Sequence, residues 1–175
     1  LKNISKNKNK TAIINENNEI IKYNTLASFV DNFAINIKKR CLVFLVCNNN
    51  LESIISYLGF IKSNCVITLI DEKTDDKLLL KLISSYKPKY IFINNLKKLP
   101  INSYFTKYNL FNYKLIERSK EKIIKLHDDL MLLISTSGST GSSKFVRQSY
   151  FNLKSNTLSI SKYLKISERD NAITT

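Results

Sequence analysis

Four short, largely apolar runs, Leu42–Cys47, Cys65–Ile70, Pro88–Ile93 and Asp129–Ile134, recur through the middle of the chain and most narrow what it can fold into, the first of them apolar at every position. Each is too short for a buried helix and is bounded by turn-forming residues, so each reads as a strand. A strand that is apolar at every position, without alternation, is covered on both faces. Between the runs lie amphipathic stretches: Leu51 to about Lys62 carries Ile54, Ile55, Leu58 and Ile61 at helical spacing, and Asp75 to about Tyr86 has a similar pattern. Strands alternating with helices predict an α/β fold, a three-layer α/β/α arrangement around a mainly parallel sheet. A chain of 175 residues supports one such domain, residues 1–175, with a real core.

The flanking segments fill in the expectation. Thr11–Ile14 and Glu19–Tyr23, joined by asparagines, read as a hairpin. From Asn24, taken as an N-cap, the residues Leu26, Phe29, Val30, Phe33, Ala34 and Ile37 predict a helix ending near Arg40. Asn64 stands where a left-handed C-cap would close the second helix. Residues Asn94 to Leu126 show no clear period, with short strand character around Lys114 to Glu117. Phe145–Gln148 reads as a short strand, Tyr150–Leu164 as a helix, and Ala172–Thr175 as the start of a further strand.

Directly after the fourth apolar run comes Ser135-Thr136-Ser137-Gly138-Ser139-Thr140-Gly141-Ser142-Ser143-Lys144. Gly138 and Gly141 let the backbone bend and bring its N–H groups close to an anion. The hydroxyls add donors, and Lys144 adds a mobile charge suited to phosphate oxygens. A polar surface turn is the bland alternative. Counting from Gly138, a Walker A loop would need Gly-Lys-Ser/Thr where Ser143, Lys144 and Phe145 stand, and a dinucleotide G-x-G-x-x-G is also absent. Neither G-x-S-x-G nor S-x-x-K ending at Lys144 occurs, which disfavours serine nucleophile chemistry.

The segment resembles the phosphate loop of the adenylate-forming superfamily, which comprises acyl- and aryl-CoA synthetases, peptide-synthetase adenylation domains and luciferases. The usual form there is Tyr-Thr-Ser-Gly-Ser/Thr-Thr-Gly-x-Pro-Lys-Gly-Val. Thr136 to Gly141, Lys144 and Val146 match it, as does the following Asn152-Leu153, while Ser135, Ser143, Phe145 and Tyr150 depart from it. The order of elements is similar along nearly the whole chain. The resemblance implies the first part of the large N-terminal domain of an AMP-forming ligase using ATP and Mg²⁺, cytoplasmic in location. Thr136, Ser137, Gly138, Ser139, Thr140, Gly141 and Lys144 would then hold ATP phosphates. The substrate would be a carboxylic or amino acid, and the acceptor a thiol of CoA or of a carrier-protein phosphopantetheine. Family members are several-fold longer, so the chain, which begins at Leu1, is expected to be an inactive fragment. Its catalytic groups and Mg²⁺ ligand would lie elsewhere.

Charge is the rival signal. Lys+Arg number 28 against 14 Asp+Glu, a formal net charge of +14 that favours polyanions. The lysines are dispersed, only four of the basic residues are arginine, and no nucleic-acid module is recognisable, so specific nucleic-acid binding is not expected. A non-catalytic nucleotide-binding module and a basic interaction domain remain as alternatives. The stretch Lys2–Lys10 reads as a solvated terminus. No membrane span or secretory h-region is present in the sequence. Cys41, Cys47 and Cys65 fit no zinc spacing and read as buried thiols, and His127 reads as solvated; no metal site is expected. An unfinished sheet edge predicts self-association of the isolated chain.

Overall fold

The covered faces implied by the apolar runs are formed as expected. The structure is a computed structural model that describes residues 7–15, 17–119, 124–135 and 145–174. Nine strands and four helices follow one another within these residues: β1 (Thr11–Ile14), β2 (Ile20–Lys22), α1 (Tyr23–Ala34), β3 (Leu42–Cys47), α2 (Leu51–Lys62), β4 (Val66–Asp71), α3 (Asp76–Tyr86), β5 (Tyr90–Asn94), β6 (Tyr104–Leu110), β7 (Tyr113–Arg118), β8 (Leu130–Ser135), β9 (Phe145–Ser149) and α4 (Tyr150–Tyr163). β1 and β2 make a separate hairpin, and the other seven strands form one sheet in the order β6-β7-β5-β3-β4-β8-β9.

Its four central strands, β5-β3-β4-β8, are mutually parallel. β7 and β6 add antiparallel at one margin and β9 at the other. Although β3 is apolar throughout, its residues divide by the strand period of two. Val43 and Leu45 join the core beneath α1 and α2, while Leu42, Phe44 and Val46 join the core beneath α3. The continuous hydrophobicity of β3 therefore reflects two cores meeting at one strand.

Phe33 is the hub of the first core. Its fully buried ring meets Phe60 at 5.0 Å, Phe92 at 5.4 Å and Tyr108 at 6.1 Å between centroids, each edge to face. Helix α2 approaches it through Gly59, where a Cβ would press against the Phe33 ring, with Cγ at 3.2 Å and Cε1 at 3.3 Å.

Several helix ends differ from the sequence expectation for physical reasons. The cap of α1 is Lys22, without a side-chain bond, and not Asn24. Its first N–H groups are satisfied by main chain instead, Tyr23 N donating to Lys10 O and Asn24 N to Lys8 O. The helix stops at Ala34, short of Arg40, because Asn36 Nδ2 donates to the carbonyls of Asn32 and Phe33 and competes with further turns. Ile37 is buried all the same, as part of the chain that folds back to β3. At the end of α2, Asn64 does take the left-handed conformation, φ 55°. Cys65 N donates to Phe60 O and Asn64 N to Ile61 O, which is a Schellman closure.

The segment without a clear sequence period holds the β6–β7 hairpin, which is wider than the strand character around Lys114–Glu117 had indicated. Ala172–Thr174 forms no strand. α4 buries none of its residues, leaving Phe151, Leu158 and Tyr163 among those exposed.

On β7, Glu117 is nearly buried and accepts from Lys89 Nζ at 3.0 Å and Lys107 Nζ at 3.4 Å. Burial pushes its carboxyl upward, but the two ammonium groups outweigh that and hold it below the ordinary 4.5. The carboxylate's contribution to stability is thus complete above that value and is lost on acidification below it. Glu117→Gln should make the urea-unfolding midpoint less sensitive to acidification below the ordinary carboxylate range. Equal acid sensitivity in variant and parent would show that this triad carries no linkage.

Gly59→Ala sets two effects against each other. Alanine favours a helix interior by about 1 kcal/mol, but the added methyl overpacks the Phe33 ring, at about 1–3 kcal/mol. Packing should win, so denaturant unfolding should show net destabilisation. A more stable variant would mean that Phe33 gives way without cost.

Candidate functional site at the carboxyl edge of the sheet

In an open α/β sheet the ends of the parallel strands leave a crevice where neighbouring connections diverge, and ligands bind outside the carboxyl ends. β3, β4 and β8 deliver Cys47, Asp71 and Ser135 to that edge. Ser135, the last residue of β8, pairs with Phe145, the first of β9, so residues 136–144 connect two adjacent antiparallel strands. The sequence-predicted phosphate contacts Thr136, Ser137, Gly138, Ser139, Thr140, Gly141 and Lys144 lie outside the described residues. Their two anchors are described in full.

The first anchor is β8. Leu132 and Leu133 are buried on opposite faces of the sheet, and Ile67, Thr68 and Leu69 of β4 pair with Leu132, Leu133 and Ile134. At its start, Arg40 spreads its guanidinium over three carbonyls, donating to His127 O at 2.8 Å, Asp128 O at 3.1 Å and Leu130 O at 2.8 Å. It also donates to Asn64 O at 2.9 Å, so one side chain ties the approaches to β4 and β8. Sequence reading placed Arg40 only at a helix end; a lone arginine gives no signal that it will bind carbonyls 24 and about 90 residues away.

The second anchor is Phe145, where the resembling family has glycine. Its ring meets Tyr86 edge to face at 5.3 Å, and Tyr86 in turn lies 6.2 Å from Phe44. The chain leaving the loop is thereby fixed to the α3 core.

β9 runs back along β8 to Ser149, which pairs with Leu130 at the opposite edge of the sheet. Only there does α4 begin, with a capping box in which Asn152 N donates to Ser149 Oγ and Ser149 N donates to Asn152 Oδ1. The positive end of α4 therefore stands at the opposite edge of the sheet from Ser135 and Phe145.

The neighbouring helix starts at the carboxyl edge are occupied by their own caps. Asn50 accepts from Ser53 N, and Asp75 accepts from Lys77 N and Leu78 N. Asn50 Nδ2 also donates to Tyr113 Oη at 2.9 Å. Burial pushes the Tyr113 phenol up to about 12, so it is a neutral hydrogen-bonding group across the neutral range. Cys47 is likewise raised, chiefly by burial, and its Sγ donates to Ile70 O.

Among the described residues no group of three or more His, Cys, Asp or Glu could hold a metal ion. His127 is exposed, with Asp129 the nearest carboxylate at 3.9 Å. No helix among the described residues is long and apolar enough to cross a membrane.

Comparison with known proteins bears on the same region. The model of the AMP-binding enzyme family matches residues 2–175. Among solved structures, the fold is similar to apo MatB from Rhodopseudomonas palustris, with a TM-score of 0.69, 18% identity, and coverage of 92% of this chain and 36% of that one. It is similar to O-succinylbenzoate coenzyme A synthetase (MenE) from Bacillus subtilis in complex with AMP, with a TM-score of 0.71, 16% identity, and coverage of 97% and 46%. The Klebsiella oxytoca NpsA N-terminal subdomain in complex with 3-hydroxybenzoyl-AMSN gives a TM-score of 0.61 and 20% identity, over 85% and 39%. The chain thus spans less than half the length of each of these structures. No curated protein sequence matches the chain.

Phe145→Gly, which restores the family's usual residue, should destabilise the domain by about 1–3 kcal/mol through loss of the aromatic contact and of buried surface. Combined with Tyr86→Leu, it should cost less than the sum of the two single losses, because the two rings are coupled. A strictly additive double mutant, measured by denaturant unfolding, would show that the rings act independently.

Proposed function

The chain belongs to the AMP-binding enzyme family, and from that premise we propose that it is the N-terminal part of an ATP-dependent carboxylate-activating ligase whose residues 136–144 hold the ATP phosphates. The observation that carries this reading is the coincidence of two things. The family match spans residues 2–175, and the Thr136–Lys144 sequence joins β8 to β9 at the carboxyl edge of the parallel strands. Solved ATP-bound MatB and AMP-bound MenE, both similar in fold, support an adenine nucleotide as the ligand class.

In the proposed reaction a carboxylate oxygen attacks the α-phosphorus of ATP, and the bond to the β-phosphate bridging oxygen breaks. Acyl-AMP and pyrophosphate result. A thiol, of CoA or of a carrier protein, then attacks the acyl carbon and expels AMP. The carboxylate is an acyl or amino acid.

The contribution assigned to this chain is electrostatic. Negative charge accumulates on the departing pyrophosphate, and backbone N–H groups at Gly138 and Gly141 with the hydroxyls of Thr136, Ser137, Ser139 and Thr140 would orient its oxygens. Lys144 would neutralise it. Mg²⁺, when bound, would supply further charge compensation at the phosphates. β8 and β9 are paired up to Ser135 and Phe145, so both ends of the loop start from fixed positions. The exposed apolar residues of α4 are the surface assigned to the remainder of such an enzyme, or to self-association of the isolated chain.

In an enzyme that includes this chain, Lys144→Ala should lower kcat/KM for carboxylate-dependent ATP–pyrophosphate exchange by about tenfold to a thousandfold. The 175-residue chain alone should give no exchange above background. Unchanged kinetics in the variant would remove the loop from phosphate binding, and exchange by the isolated chain would overturn the assignment of the remaining catalytic groups to other parts of the protein.

A further inference from the structure

Two thiols meet at the starts of the central strands, on the edge of the sheet away from the phosphate loop. Cys41 immediately precedes β3 and Cys65 immediately precedes β4. Val66 N donates to Cys41 O at 2.9 Å, and Leu42 pairs with Val66, so the register sets the two cysteines side by side. Their sulfurs are 3.9 Å apart, and neither is in a disulfide. Adjacent strands lie about 4.8 Å apart, within the Cα separations of about 4.4–6.8 Å that disulfides bridge. Both residues stand just outside the β-ladder, where the chain can make the remaining adjustment without breaking strand pairing.

We propose that Cys41 and Cys65 are a reversible dithiol–disulfide site that reacts with low-molecular-weight disulfides. The two sulfurs have different access. Cys41 is half-buried and Cys65 is 1% exposed, so an external disulfide reaches Cys41 first. The Cys41 thiolate, having released its proton to solvent, attacks one sulfur of the reagent and expels the first small thiolate. Cys65, after losing its proton, attacks the Cys41 sulfur of that mixed disulfide and expels the second. In balance, two protein thiols and one small disulfide give one protein disulfide and two small thiols, the protein being oxidised and the reagent reduced.

The surroundings suit the second step. In the free dithiol the hydrogen bond with Cys41 lowers the Cys65 thiol below its ordinary value against the opposing effect of burial, and once Cys41 is in the mixed disulfide the Arg40 guanidinium remains as a lowering influence. Cys47 provides the contrast on the same strand: its thiol is raised by burial and is directed to the Ile70 carbonyl. The bridge would close the segment that contains α2 and fasten the starts of β3 and β4, so oxidation should raise the stability of the domain.

The test uses the whole chain and glutathione disulfide. Mass spectrometry should show loss of about two hydrogens with no retained glutathione, peptide mapping should place the bond between Cys41 and Cys65, and a dithiol reductant should reverse it. The thermal midpoint of the oxidised protein should rise by several degrees. Cys47→Ser should leave all of this intact, whereas Cys65→Ala should stop at a glutathione mixed disulfide on Cys41. A stable mixed disulfide on Cys41 of the parent protein, a bond mapped to Cys47, or no reaction in the folded state would each overturn the proposal. The mapping in the parent protein decides the matter even if a Cys65 variant fails to fold.

Discussion

Everything in this domain depends on covering both faces of the parallel strands. β3 and β4 carry almost no polar side chains, so neither face can be left to water, and the chain answers with α1 and α2 on one face and α3 on the other. The demands on packing follow. Phe33 fills the space between α1 and the sheet, and α2 can approach that ring only because residue 59 has no side chain. Toward the margins the requirement relaxes. β6 shows four partly buried or buried positions and three exposed ones, and β9 buries none of its residues. Antiparallel strands suit those positions because they need only one covered face.

The two ends of the central strands serve different purposes. At their starts, polar interactions act as fasteners: Arg40 binds carbonyls leading into β4 and β8, and the Cys41–Cys65 pair sits beside it. At the carboxyl ends the first turns of α2 and α3 are already capped by Asn50 and Asp75. The connection between β8 and β9 differs, since it leads into another strand instead of a helix. The strands that hold the ends of this connection are fixed by the core.

Reading the sequence succeeded where local pattern and tertiary demand coincide. α2 was legible to its last residue because its apolar residues recur at helical spacing and Asn64 closes it in a left-handed turn, whereas its Asn50 cap is seen only in the structure. α1 was legible in its middle but not at its ends. Its first N–H groups go to the carbonyls of Lys8 and Lys10, and Asn36 ends it by taking the carbonyls of Asn32 and Phe33. The β6–β7 hairpin was mostly hidden because its polar and aromatic residues alternate irregularly, with a register shift between Thr106 and Tyr108. The loop residues themselves were legible as chemistry, through a motif, while their positions lie outside the described residues.

By itself, then, the sequence determined the α/β class and the succession of buried strands and helices, because each is carried by short-range pattern: largely apolar runs and helical spacing. Only the tertiary structure decided the strand order, the antiparallel margins, the use of Arg40 as a tie between distant carbonyls, the contact of Phe145 with Tyr86 and the meeting of Cys41 with Cys65. These rest on contacts between segments 24 to about 90 residues apart, where the gain comes from the burial and hydrogen bonding of the assembled sheet and leaves no mark in the spacing of neighbouring residues.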